Sequence, residues 1–197
     1  MAFLMGDGTP NRARIIPSGP ILLRPPEARD YAAWSALRGQ SYDFLQPWEP
    51  TWAEDELSRN SWRGKLRRYL EDARDGRSYA FLIFRIDDEE LVGGITLSRV
   101  HRGAAHMGSV GYWIGAPHVR QGFATAALRG LVRHAFDPLG LGLHRLEAAC
   151  IPENEPSRRA LERVGFAIEG RAKSYLRING AWRDHLLFGL LNGDGAG

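Results

Sequence analysis

A chain of 197 residues, 44% hydrophobic and 25% charged, is long enough to bury one real core and too ordinary in composition for a disordered or fibrous protein. Its net charge of +3 is too mild to argue for direct nucleic-acid binding, and a lone cysteine, Cys150, excludes a disulfide framework or a Cys-rich metal site. No apolar run is long enough to span a membrane, and Gly6, Asp7 and Gly8 break the N-terminal stretch too early for a signal peptide, so a reducing cytoplasm is the expected compartment.

Residues 1–12 read as a flexible tail, residues 13–191 as one domain, and residues 192–197 as a disordered Gly-rich tail. Ile21–Arg24 reads as a short strand closed by Pro25 and Pro26. From Glu27 to Gln40 acidic residues come early and Tyr31, Trp34 and Leu37 recur at three-residue spacing, which predicts a helix. Ser41–Thr51 predicts a loop unusually rich in bulky apolar groups. Loops carry such groups where they cover something, so Phe44, Trp48 and Trp52 either wall a substrate site or pack on the flanking helices. A second helix is expected over 53–75, with Leu57, Trp62, Leu66, Tyr69, Leu70 and Ala73 on its inner face and Gly76 as its stop.

Strands then take over. Ser78–Ile86 and Leu91–Val100 flank an acidic turn and predict an antiparallel hairpin, followed by a strand over 106–114. Past Gly122, the recurrence of Phe123, Ala127, Leu131 and Ala135 predicts an amphipathic helix. A strand over 144–151 and a helix from Pro156 to Gly165 come next. Strands over 167–177 and 182–190 flank Asn179-Gly180, a strong hairpin signal. With no internal repeat and no linker, the pattern is that of a single α+β domain.

The joint before the central helix carries the first chemistry. A helix start leaves N–H groups unpaired and points the positive end of its dipole outward, which suits a phosphate or pyrophosphate. Gly122 lets a ligand approach the backbone, Arg120 adds a charge and Thr125 a hydroxyl. The absence of a Gly-Lys-Ser/Thr triplet and of a three-glycine fingerprint excludes the two commonest nucleotide loops. A second stretch, Asn154 to Ser157, reads as the cap and first turn of the next helix, and capping alone accounts for both residues.

Taken together, the two stretches resemble a known family. Val119-Arg120-Gln121-Gly122-Phe123-Ala124 is similar to the pyrophosphate loop Gln/Arg-x-x-Gly-x-Gly/Ala of GCN5-related N-acetyltransferases (GNAT), with Val119 departing from the usual first residue. Asn154-x-x-Ser157, before a helix ending Gly165-Phe166, resembles that family's next block, in the right order, and the likeness extends over most of 21–191. Phe44-Leu45-Gln46-Pro47-Trp48-Glu49-Pro50, Gly111-Tyr112-Trp113-Ile114 and the Asn-Gly hairpin resemble the Rim-type branch, which acetylates N-terminal alanine or serine α-amines of ribosomal proteins and includes enzymes for other amines.

The resemblance implies a mixed, mostly antiparallel twisted sheet with splayed central parallel strands flanked by helices. It implies acetyl-CoA as cosubstrate, no metal, and an acceptor that is a peptide or protein N-terminus such as that of a ribosomal protein. The amides of Arg120, Gln121, Gly122, Phe123, Ala124 and Thr125 would hold the pyrophosphate, Asn154 and Ser157 would face the pantetheine, and the backbone of Trp113 and Ile114 would receive the thioester oxygen. Trp48, Glu49 and Tyr175 are the expected acceptor contacts. Glu147 is the first candidate base, with a surface or ion-paired glutamate as its plain alternative, and Glu49 in the aromatic loop is the second. Leu161 stands where other members place a tyrosine, which moves protonation of the leaving thiolate to Ser157, to Tyr175 or to solvent. The open alternatives are a small-molecule amine as acceptor, or a non-catalytic module that senses acyl-CoA or contacts RNA through its arginines. Monomer and homodimer stay equally open.

Overall fold

The computed structural model describes residues 15–193, so the tail expected over 1–12, and all but Asn192 and Gly193 of the one expected over 192–197, lie outside the described residues. Eight strands form one sheet: β1 (Ile16–Ser18), β2 (Ile21–Arg24), β3 (Tyr79–Arg85), β4 (Leu91–His101), β5 (Met107–Ile114), β6 (Arg145–Cys150), β7 (Ala167–Ile178) and β8 (Ala181–Leu191). Their order across the sheet is β1-β2-β3-β4-β5-β6-β8-β7. Every pairing is antiparallel except β5 with β6. A parallel pair needs a crossover, and the helix α4 (Phe123–Phe136) supplies it.

The remaining helices are α1 (Tyr31–Gln40), the single turn α2 (Tyr42–Leu45), α3 (Arg59–Arg74) and α5 (Glu155–Glu162). Two differences from the sequence expectation have local causes. Strand β1 precedes the expected first strand and folds back on β2 through a turn in which Gly19 takes φ +58°. The second helix begins at Arg59 instead of residue 53, because Ser58 caps it: its hydroxyl accepts the Ser61 N–H at 3.1 Å, and the residues before it form turns.

Two apolar layers sandwich the sheet. On one face α4 and α5 bury Phe123, Ala127, Leu128, Leu131 and Leu161 against strand residues such as Ile95, Leu146 and Phe188. On the other face α1 and α3 press Trp34, Leu37 and Trp62 onto Leu82, Phe84 and Leu91, with Trp34 and Trp62 stacked at 4.7 Å between centroids. That second layer covers β3 and β4 and reaches as far as Trp113.

Candidate active site

Strands β5 and β6 pair only from Met107↔Arg145 to Val110↔Ala148, and both continue past that point. Beyond Val110, β5 stays bound to β4 through Ile114↔Gly93, while β6 stays bound to β8 through Cys150↔Leu186. A gap therefore opens in the middle of the sheet. The Gly115 N–H bonds the Val92 carbonyl at 2.9 Å on the β4 side, so strand alternation turns the N–H of Trp113 to β4 and those of Tyr112 and Ile114 toward the gap. The pair Gly93-Gly94 makes this geometry possible, since a Cβ on Gly94 would stand 2.5 Å from the Trp113 indole nitrogen.

The mouth of the gap is the start of α4. Its first helical hydrogen bond runs from Ala126 N–H to the Gly122 carbonyl at 3.0 Å, so the N–H groups of Phe123, Ala124 and Thr125 have no helical partner. Gly122 caps the helix in a left-handed conformation, φ +81°, with no atom within 4 Å of where a Cβ would sit. Arg120 also takes positive φ, +62°, and both Arg120 and Gln121 are exposed. Consecutive amides, an open approach and a cation converge here, and that set fits a diphosphate.

Across the gap, Asn154 caps α5, its side-chain oxygen accepting the Ser157 N–H at 3.2 Å. The cap turns the Ser157 hydroxyl inward, where it lies 2.9 Å from the Tyr112 hydroxyl of β5. Burial pushes the Tyr112 phenol up to about 12, so it keeps its proton at neutral pH. Burial also pushes the Cys150 thiol up to about 11, against the opposing effect of a hydrogen bond with Ser157. The structure thus joins Ser157 and Asn154 to the splay and adds Tyr112, whose side chain the motifs give no role. The strand's own alternation carries that signal, because Val110, Tyr112 and Ile114 share the face that packs on the α4–α5 layer.

The opposite face carries the expected acceptor residues. Glu49 receives both arms of Arg38 at 2.7 and 2.6 Å and the Trp52 indole N–H at 2.8 Å. Arg38 is itself nearly buried, with Trp52 and Trp113 rings 4.2 and 4.9 Å from its guanidinium carbon. Trp48 is half-buried in the same loop. Asn179 at the β7–β8 tip donates its N–H to the Glu49 carbonyl at 2.9 Å, and its side chain bonds Gln46, so hairpin and loop close on each other. Tyr175 lies edge-on to His185, 5.6 Å between centroids. Glu147 is not at the gap: it pairs with Ser109, below the last β5–β6 rung, and is bound to Arg145 at 3.1 Å. Nothing local in the sequence marks Arg38, whose partner lies eleven residues away, or singles out His185, which strand pairing brings into place. Among the described residues no group of three or more His, Cys, Asp or Glu side chains could hold a metal, and no helix is long and apolar enough to cross a membrane.

Known proteins share this architecture. The family model described as an acetyltransferase (GNAT) domain matches residues 21–167. The chain is 34% identical to the probable N-acetyltransferase YjcK of Bacillus subtilis, over 88% of this chain and 95% of that protein. It is equally 34% identical to the ribosomal protein uS5-alanine N-acetyltransferase of Escherichia coli, over 84% and 85% of the two chains. Mycobacterium smegmatis RimJ, solved with a CoA-disulfide, superposes with a TM-score of 0.83 at 40% identity, covering 90% of this chain and 84% of that one. A sheet split at its one parallel pair, a glycine-capped helix at the mouth of the split and a match over most of the length lead to one conclusion: the chain belongs to the GNAT family and is an N-acetyltransferase.

Proposed function

We propose that this acetyl-CoA-dependent N-acetyltransferase delivers its acetyl group to the α-amine of a protein N-terminus, by direct attack within a ternary complex. The observation that carries the reading is the gap above Val110 and Ala148, reached by phosphate-binding amides from one face and by an aromatic loop and hairpin from the other. Two reactants can meet there without sharing an entrance, and holding both supplies a large part of the rate.

In this reading the amides of Phe123, Ala124 and Thr125, with Arg120, take the diphosphate. Asn154 and Ser157 flank the pantetheine. The Tyr112 and Ile114 N–H groups face the thioester oxygen and stabilise the charge it gains, an effect commonly worth about 3 kcal/mol. Ser157, backed by the protonated Tyr112, meets the leaving sulfur. An α-amine suits the site chemically: with a reference pKa near 7.7–8.0, about a third of it is neutral at pH 7.5, against about one lysine in a thousand.

The likeness to the uS5-alanine enzyme and to RimJ supports a ribosomal-protein N-terminus. A panel of peptides with free or blocked N-termini, with and without lysine, scored by mass shift and CoA release, tests it. Acetylation of free N-termini only is the expected result. Labelling of lysine or of small amines in preference to every N-terminus would overturn the acceptor assignment.

A further inference from the structure

We infer that the imidazole of His185 is the base that takes the proton from the attacking amine. Neither glutamate expected in that role is free for it. Glu49 already accepts three hydrogen bonds from Arg38 and Trp52, out of about four lone-pair sites. Glu147 is level with Ser109, three residues below Tyr112, which is about 10 Å along a strand.

The strand registers put His185 at the right height. Val110 pairs with Ala148, so Ile151 comes level with Trp113, and Cys150↔Leu186 sets His185 opposite Ile151. The ring is thus level with the stretch between Tyr112 and Ile114, whose N–H groups face the gap. Leu186, Phe188 and Leu190 pack into the α4–α5 layer, so alternation sends His185 to the acceptor face together with Ala149. Gly111 of β5 lies on that face too, exposed and with nothing within 4 Å of a Cβ position. Glycine and alanine leave the floor low enough for an amine to enter.

Protonation is set by one bond. His185 Nδ1 lies 3.0 Å from the Arg183 carbonyl, and a carbonyl can only accept, so Nδ1 carries the hydrogen. The neutral ring therefore presents a bare Nε2, which has no hydrogen-bond partner among the described residues. The ring is 3% exposed and steadied by Tyr175, which a bulge in β7 brings over it: the pairing shifts between Ala172 and Leu176, with Ser174 at φ +47°. The ionisable groups around it are Tyr175 on β7, Arg183 with its partner Glu153 at 3.7 Å, and Asp184, which Arg171 and the Ser174 N–H hold.

In the step, a bond forms between the amine nitrogen and the thioester carbonyl carbon, and the nitrogen's surplus proton passes to Nε2. The C–S bond breaks, and the sulfur leaves with its electron pair and takes a proton by way of Ser157 or solvent. His185 returns its proton to solvent, so one proton moves from nitrogen to sulfur overall.

The inference rests on direct attack by an amine, and its test runs on whichever amine the enzyme acetylates, so failure of the peptide acceptor is distinguishable from failure of the base. His185→Gln and His185→Asn should lower kcat by about 10²-fold or more while leaving acetyl-CoA affinity by calorimetry unchanged. Independently of turnover, nitrogen-15 NMR of the wild-type protein should show Nδ1 protonated and Nε2 bare at pH 8. Unchanged kcat overturns the proposal, as does an Nε2-protonated neutral ring. Loss of acetyl-CoA binding in both variants makes the residue structural and overturns it equally.

Discussion

The Tyr112 hydroxyl and the Ser157 hydroxyl, 2.9 Å apart, bridge the gap between β5 and α5 on the face that α4 and α5 cover. Tyr112 is the side that keeps its proton, since burial raises it to about 12, and in the proposed reaction Ser157 would pass its own hydrogen toward the departing thiolate and be resupplied. Ser157→Ala keeps the backbone N–H that Asn154 caps and removes only the hydroxyl. Its expected cost is a 10- to 100-fold drop in kcat, the range for losing a hydrogen bond to a charged group (about 1.5–3 kcal/mol), with Tm unchanged. Steady-state thiol release measures it. A wild-type kcat would assign the sulfur's proton to solvent alone.

Gly122 separates strain from clash. At φ +81° with open space around it, Gly122→Ala meets no atom and carries only the left-handed penalty of about 1–2 kcal/mol. That penalty should appear in urea unfolding, and CoA affinity should fall as the loop relaxes to a less strained path. Unfolding and calorimetry together decide whether the amides need the turn: full affinity in a destabilised variant would mean that they do not.

Arg38 and Glu49 form a pair with little water around it, their side chains 8% and 21% exposed. Removing one partner strands the other, so Arg38→Met or Glu49→Leu alone should destabilise by about 3–5 kcal/mol. The double substitution should recover part of that loss, and a double-mutant cycle in urea reads the coupling directly. Additive losses would make the pair ornamental to stability.

Alkaline pH should weaken the fold through Cys150 and Tyr112. Both are raised in the folded state, from 9.0 to about 11 and from 10.0 to about 12, by burial. Between the unfolded and folded values the native state holds more protons than the unfolded one, so stability falls as pH rises from about 9 to about 12. Cys150→Ala should flatten the lower part of that slope and Tyr112→Phe the upper part, in urea midpoints taken across the range. Near pH 8 the thiol should react slowly with disulfide reagents, because so little of it is thiolate.

The central joint was legible because its signals are local: a glycine, a four-residue apolar repeat and an asparagine cap each announce themselves within a few residues. The Asn179-Gly180 hairpin was legible for the same reason. What stayed hidden depends on pairing between distant segments. Glu147 looked close to the gap because it shares a strand with Cys150, yet the register that ends at Ala148 leaves it below the opening. The aromatic stretch reads as a loop in the sequence, but one helical turn over Tyr42–Leu45 and the Arg38–Glu49 pair organise it. Both facts follow from contacts that no spacing in the chain encodes.

Strand β8 lies between β6 and β7, although it is the last to be made. During synthesis β7 therefore has no strand to dock on until β8 has also left the ribosome, and Asn179 cannot be held against the loop around Glu49 before then. The wall carrying Asn179 and His185 thus joins the sheet only after the glycine-capped start of α4 has been made.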